Sequence, residues 1–121
     1  MRSVLVVDDD SDIREAVAEV LAGEGYEVLG AGDGEEALTK CRAFHPSLVL
    51  LDLMMPGMNG WEFRAAQKRD PELADIPVVV LSALEQKVAI DAEGFVRKPF
   101  ELDELLALVR RHAEPEPVAA G

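Results

Sequence analysis

Two hydrophobic signatures alternate along this chain. Short continuous apolar runs stop at a polar residue, and most are followed by a segment whose apolar positions recur at helical spacing. Residues 3–7 form the first run and end in Asp8-Asp9-Asp10; residues 26–29 form the second. Residues 48–52 stop at Asp52, residues 76–82 at Ser82, and the shorter run 95–98 at Lys98. Runs of this length and composition predict strands of a parallel sheet covered on both faces. Between them, Ile13, Val17, Val20 and Leu21 mark a first helix, capped by Ser11 or Asp12 and stopped by Gly23 to Gly25. Ala37, Leu38, Cys41 and Phe44 give the apolar face of a second helix over residues 35–44, with Asp33 as N-cap and His45-Pro46 as stop. Residues 61–68 predict a third helix, weakly patterned, carrying Trp61 and Phe63. Residues 101–112 carry the clearest stripe, Leu102, Leu105, Leu106 and Val109, and Arg110, Arg111 and His112 suit the negative end of that helix. Strand and helix repeating in turn predict an α/β fold: a five-stranded parallel sheet, doubly wound, with helices on both faces. One domain is expected over residues 1–113, and the Pro- and Ala-rich residues 114–121 are expected to form a flexible tail.

Composition narrows this picture. At 121 residues, 49% of them hydrophobic, the chain suffices for one packed core, which Val, Leu, Ile and Ala must fill because only 5% are aromatic. The 24 acids outnumber the 12 bases and leave a net charge of -12, so direct binding of nucleic acid by this domain's own surface is not expected. Cys41 is the single cysteine, which excludes an intrachain disulfide and suits a reducing compartment, with the thiol acting as a small buried hydrophobe. No apolar run approaches the ~18 residues of a membrane helix. The first run is broken by Asp8-Asp9-Asp10 too early for a signal peptide, so a cytoplasmic location is expected.

In a parallel sheet every strand's carboxyl end lies on one edge, where crevices open and ligands bind. Asp8, Asp9, Asp52, Ser82 and Lys98, far apart in sequence, therefore converge there. Several carboxylates in one place repel unless a cation neutralises them, and an oxygen-only ligand set with open positions suits Mg²⁺. A lysine beside the acids balances charge and grips an incoming phosphoryl oxygen, while a serine hydroxyl donates to the same group. In this arrangement Asp52 is the nucleophile that forms an acyl phosphate.

Those residues carry a resemblance. Val4-Leu-Val-Val-Asp8-Asp9, Leu51-Asp52-Leu-Met-Met-Pro56-Gly-Met-Asn-Gly60, Val80-Leu-Ser82-Ala83 and Phe95-Val-Arg-Lys98-Pro99-Phe100 match, in order, the motifs of the receiver domain of two-component response regulators, and the likeness spans about residues 2 to 112. It implies the flavodoxin-like strand order 2-1-3-4-5. It implies Mg²⁺ held by Asp9, Asp52 and the backbone carbonyl of Met54, with Asp8 acting partly through water. It further implies that Asp52 accepts a phosphoryl group from a histidine kinase or phosphotransfer protein, and that Ser82 swings toward that group. Phe95 stands at the family's aromatic switch position and would turn inward behind Ser82, and a cis Lys98-Pro99 bond would aim the lysine into the pocket. The resemblance describes a signalling phosphoacceptor that catalyses its own phosphotransfer and slow dephosphorylation, a monomer or weak dimer acting on a downstream protein.

One departure stands out. Only 16 positions separate Ser82 from Lys98, about six fewer than the family's usual spacing, or roughly one and a half to two helical turns. The crossover helix there is expected to be very short or irregular, with Leu84, Val88 and Ala92 toward the sheet. Its usual readout surface is diminished, so output is expected through a different face or a partner that supplies the missing surface. This gap is also the one feature that favours the alternative, a phosphorylation-independent interaction module. A phosphatase with an aspartate nucleophile fits worse, because Met54 stands where such enzymes carry a second aspartate as acid and base. With no DNA-binding segment after the receiver motifs, a stand-alone regulator is the expectation.

Overall fold

The structure, a computed structural model, describes residues 2–83, 90 and 92–113. Its elements run β1 (Ser3–Val7), α1 (Ser11–Gly23), β2 (Glu27–Ala31), α2 (Gly34–Phe44), β3 (Leu48–Asp52), α3 (Gly60–Arg69), β4 (Val78–Ser82), β5 (Gly94–Arg97) and α4 (Leu102–Ala113). The strands form one parallel sheet of five in the order β2-β1-β3-β4-β5.

Strand alternation divides the core. Leu5, Val7, Val49, Leu51, Val78 and Val80 point to one face, where Ala37, Leu38 and Cys41 of α2 and Phe63 of α3 cover them. Val4, Val6, Leu48, Leu50, Val79 and Leu81 point to the other and meet Val17 and Leu21 of α1 and Leu105 and Val109 of α4. The three central strands are buried throughout, whereas the edge strands β2 and β5 are only partly covered. This is the doubly wound α/β architecture that the pattern predicts, in the order the resemblance implies.

Several local expectations need correction. The cap of α1 is Asp10, not Ser11 or Asp12: its Oδ1 accepts from the backbone N–H groups of Asp12 and Ile13 at 2.9 and 3.3 Å. Phe44 is 57% exposed, because the last residue of α2 lies where the helix runs off the face it covers. The expected stop at His45-Pro46 holds: His45 caps that helix in the left-handed region, φ 46°, with its N–H donating to Cys41 O at 2.9 Å. The second strand extends to Ala31 and so contains Gly30, which the spacing suggested was turn punctuation. Strand β4 starts at Val78 rather than at residue 76, after Pro77, whose carbonyl accepts from Val49 N–H. Leu102, at the start of the α4 stripe, is exposed.

Between β4 and β5, Ile90 and Ala92 pack against the α2 and α3 side of the core, as expected for Ala92. The expected positions of Leu84 and Val88 and the expected tail at residues 114–121 lie outside the described residues. Among the described residues, no helix is long and apolar enough to cross a membrane.

Candidate functional site

Sheet register assembles the site. Val7 pairs with Leu51, so Asp8 and Asp52 end up on adjacent strand positions, and Ser82 pairs with Arg97 one step before Lys98. The Lys98 N–H donates to Ser82 O at 2.7 Å, tying the exit of β5 to the end of β4. Lys98 Nζ then lies 2.7 Å from Asp8 Oδ2 and 3.8 Å from Asp52 Oδ1. The carboxylate oxygens of Asp8, Asp9 and Asp52 fall within 4.8 Å of one another. Asp8 is wholly buried and Asp52 nearly so, whereas Asp9 is exposed.

The loop after Asp52 is shaped by glycines and caps. Gly57 takes a positive φ of 68°, which suits a residue without a Cβ. A Cβ at Gly60 would come within 2.7 Å of Asp52 O and Leu53 Cα, so the backbone can close here only over glycine. Asn59 and Glu62 form a capping box at the start of α3, and Gly34 N–H donates to Met58 O at 3.1 Å, seating the loop on the start of α2.

Electrostatics at Asp52 are unbalanced. Burial pushes its pKa up to about 6, and the Asp8 and Asp9 charges add to the rise, while Lys98 and the Met54 N–H, 3.4 Å from Oδ1, oppose it. One lysine thus leaves repulsion among three carboxylates. A small divalent cation would remove it, and a donor set of carboxylate oxygens at a partly open edge fits Mg²⁺. Lys98 also lines an apolar groove with Ile13, Val17, Ala83, Pro99, Phe100 and Leu102.

The structure therefore brings Asp8, Asp9, Asp52 and Lys98 together and places Ser82, buried, at the same edge. Met54 joins through its N–H, its side chain being exposed. The Lys98-Pro99 bond is cis, as the resemblance implies. Phe95 is not in the acid cluster: on β5 it pairs with Val80 of β4 and packs, half-buried, against the core of the sheet face that α2 and α3 cover. One residue escaped the sequence reading. Arg14 Nη1 donates to Asp8 O at 2.6 Å. Its only trace in the sequence is a pair of glycines on the neighbouring strand and turn, Gly30 and Gly32, over which its side chain lies.

An open parallel sheet of this order, with a buried aspartate, two further acids and a lysine at one carboxyl edge, defines a doubly wound protein built to handle a phosphoryl group. The match with known proteins makes the class specific: the chain belongs to the response regulator receiver domain family, whose model matches residues 4–110. It is thereby a phosphoacceptor signalling domain of two-component signalling. The DNA-binding response regulator MtrA of Mycolicibacterium smegmatis is 42% identical over 123 aligned residues, covering 94% of this chain and 53% of that protein. The chemotaxis protein CheY4 of Vibrio cholerae superposes with a TM-score of 0.85 at 34% identity, over 93% of this chain and 98% of that one. The response regulator TrrA of Thermotoga maritima, solved with Mg²⁺ and BeF, gives 0.82 at 36% identity, over 92% and 98%. The chain spans about half the length of the curated relatives it matches first. Those relatives are named DNA-binding, so the comparisons do not support the expectation of no direct nucleic-acid contact.

Proposed function

We propose that Asp52 is the residue that takes the phosphoryl group, with a histidine kinase or phosphotransfer protein as donor. The observation that carries this reading is the convergence of Lys98 on both Asp8 and Asp52, at 2.7 and 3.8 Å, inside a group of three carboxylates. Asp8, Asp9 and Asp52, with the Met54 carbonyl, would hold Mg²⁺, which supplies charge neutralisation for the transferring group. An Asp52 oxygen forms its bond to phosphorus as the phosphorus–nitrogen bond to the donor imidazole breaks, the electron pair staying on that nitrogen. Lys98 moves its ammonium toward a phosphoryl oxygen, and the Ser82 hydroxyl donates to another. In this reading Phe95 follows Ser82 and Pro99 orients Lys98; the pairing of Phe95 with Val80, on the strand that ends in Ser82, supports the first of these roles. Slow hydrolysis of the acyl phosphate resets the domain. The setting is the cytoplasm, the receiver unit covers residues 1–113, and output goes to a downstream protein through a different face or with a partner that supplies the surface missing from the short Ser82–Lys98 segment.

The test is intact mass after incubation with Mg²⁺ and a small acyl phosphate. One added phosphoryl group is expected, absent with chelator and absent in Asp52→Asn. An adduct that persists in Asp52→Asn moves the acceptor elsewhere, and no adduct under conditions that label a control receiver overturns the reading.

A further inference from the structure

We infer that Arg14 is a positioning residue for the acidic pair, holding the Asp8–Asp9 peptide so that Asp9 meets the metal; this rests on the Mg²⁺ reading above. Asp8 is tethered at every polar group. Its N–H donates to Ala31 O at 3.0 Å, its Oδ1 accepts from Asp10 N–H at 2.9 Å, and its Oδ2 accepts from Lys98 at 2.7 Å. Its carbonyl accepts from Arg14 Nη1 at 2.6 Å. That carbonyl belongs to the peptide plane leading into Asp9, so its direction sets where the Asp9 Cα and carboxylate lie. Asp9 itself is exposed, on a loop between β1 and α1. The guanidinium is thus the link that carries rigidity from α1 to that plane, a charge-assisted bond to a carbonyl at the site's rim.

The surroundings are fitted to this side chain. A Cβ on Gly30 would stand 3.2 Å from Arg14 Cδ, and one on Gly32 would stand 3.6 Å from Nη1. Next to it, Glu36 Oε1 accepts from Gly32 N–H at 2.9 Å, and Lys40, 3.1 Å from Glu36 Oε2, donates to Gly30 O. The end of β2 is therefore fastened from α2 while Arg14 lies across it from α1. Arg14 acts on the site through geometry: Lys98, not Arg14, is the cation that faces the carboxylates of Asp8 and Asp52.

Backbone-amide NMR titration with Mg²⁺ tests this in the full chain, under conditions where each variant is folded by its own spectrum. Arg14→Met is expected to weaken Mg²⁺ binding roughly tenfold, the usual scale for losing an outer-shell partner, with the largest chemical-shift changes at Asp9 and Asp10. Arg14→Lys, which keeps a donor, is expected to recover part of the affinity. Gly30→Ala leaves Arg14 in place but crowds its stem, and a smaller loss in the same direction is expected. Arg110→Met, which removes the 2.6 Å pair with Glu24 far from the acids, is the control for a general loss of stability and should bind as wild type does. Wild-type affinity in Arg14→Met overturns the inference alone, as does an equal loss in Arg110→Met. No Mg²⁺ binding by the wild type overturns the inference together with the reading beneath it.

Discussion

Asp52 is a charge held where burial disfavours it. Its pKa near 6 lies above the ordinary 3.8, so between those values the folded chain keeps a proton that the unfolded chain has lost. The group's contribution to stability is therefore full below about pH 4 and is lost as pH rises through 6, leaving a cost on the order of 3 kcal/mol in metal-free protein. Asp52→Asn should accordingly be more stable than wild type at pH 7.5 in chelator, and its advantage should shrink to about half at pH 5. Urea unfolding at the two pH values decides; an advantage that does not change with pH would show that the charge is not the cause. Cys41 is the opposite case, an inert group. Burial pushes its thiol up to about 11, so it stays protonated and out of reach. An aromatic disulfide reagent at pH 8 should label it only on unfolding, and prompt stoichiometric labelling of native protein would contradict its core position.

The elements show why some of the chain was legible from its sequence and some was not. Strands β1, β3 and β4 and helix α4 announce themselves because their inward faces are apolar without interruption. Helix α3 is weakly patterned because polar side chains point inward. Gln67 is fully buried, donating from Nε2 to Leu73 O and Ile76 O, both at 2.9 Å, and accepting from Arg64 Nη1 at 2.8 Å. Periodicity counts such residues as surface, and only the partners reveal them as core. Gln67→Ala would strand two buried carbonyls, and a loss of about 2–4 kcal/mol is expected in chemical denaturation. Asn59→Ala, which removes half of a capping box, should cost about 1 kcal/mol. If the two losses came out equal, the inward amide would be no more than a surface cap in its effect. The four charged or hydroxyl side chains at strand ends, Asp8, Asp52, Ser82 and Lys98, were legible because a parallel sheet collects its carboxyl ends. Arg14 was not, since its partner is a main-chain carbonyl and no side-chain pattern marks that.

At the scale of the molecule, the resemblance carried the strand order, and the pattern alone carried the two covered faces. Linkage gives a check on the metal. If Mg²⁺ binds the folded chain and not the unfolded one, a concentration 100 times its Kd should add about 2.7 kcal/mol of stability. The Tm should rise with Mg²⁺ in wild type and stay flat in Asp9→Asn. The chain's net charge also has a kinetic consequence. Bound Mg²⁺ and the Lys98 ammonium together offset the three carboxylates of the site, but the chain as a whole, of net charge -12, keeps a negative potential around the entrance. A small anionic phosphate ester or anhydride must climb that potential to arrive, and salt flattens it as the Debye length falls from about 30 Å at 0.01 M to about 8 Å at 0.15 M. With Mg²⁺ kept saturating, modification by a small acyl phosphate should speed up as inert salt is added over that range. A carrier protein that presents a basic rim around its phosphohistidine would arrive down the same slope, so the chain's overall charge would favour such a donor over a small anion before any contact is made.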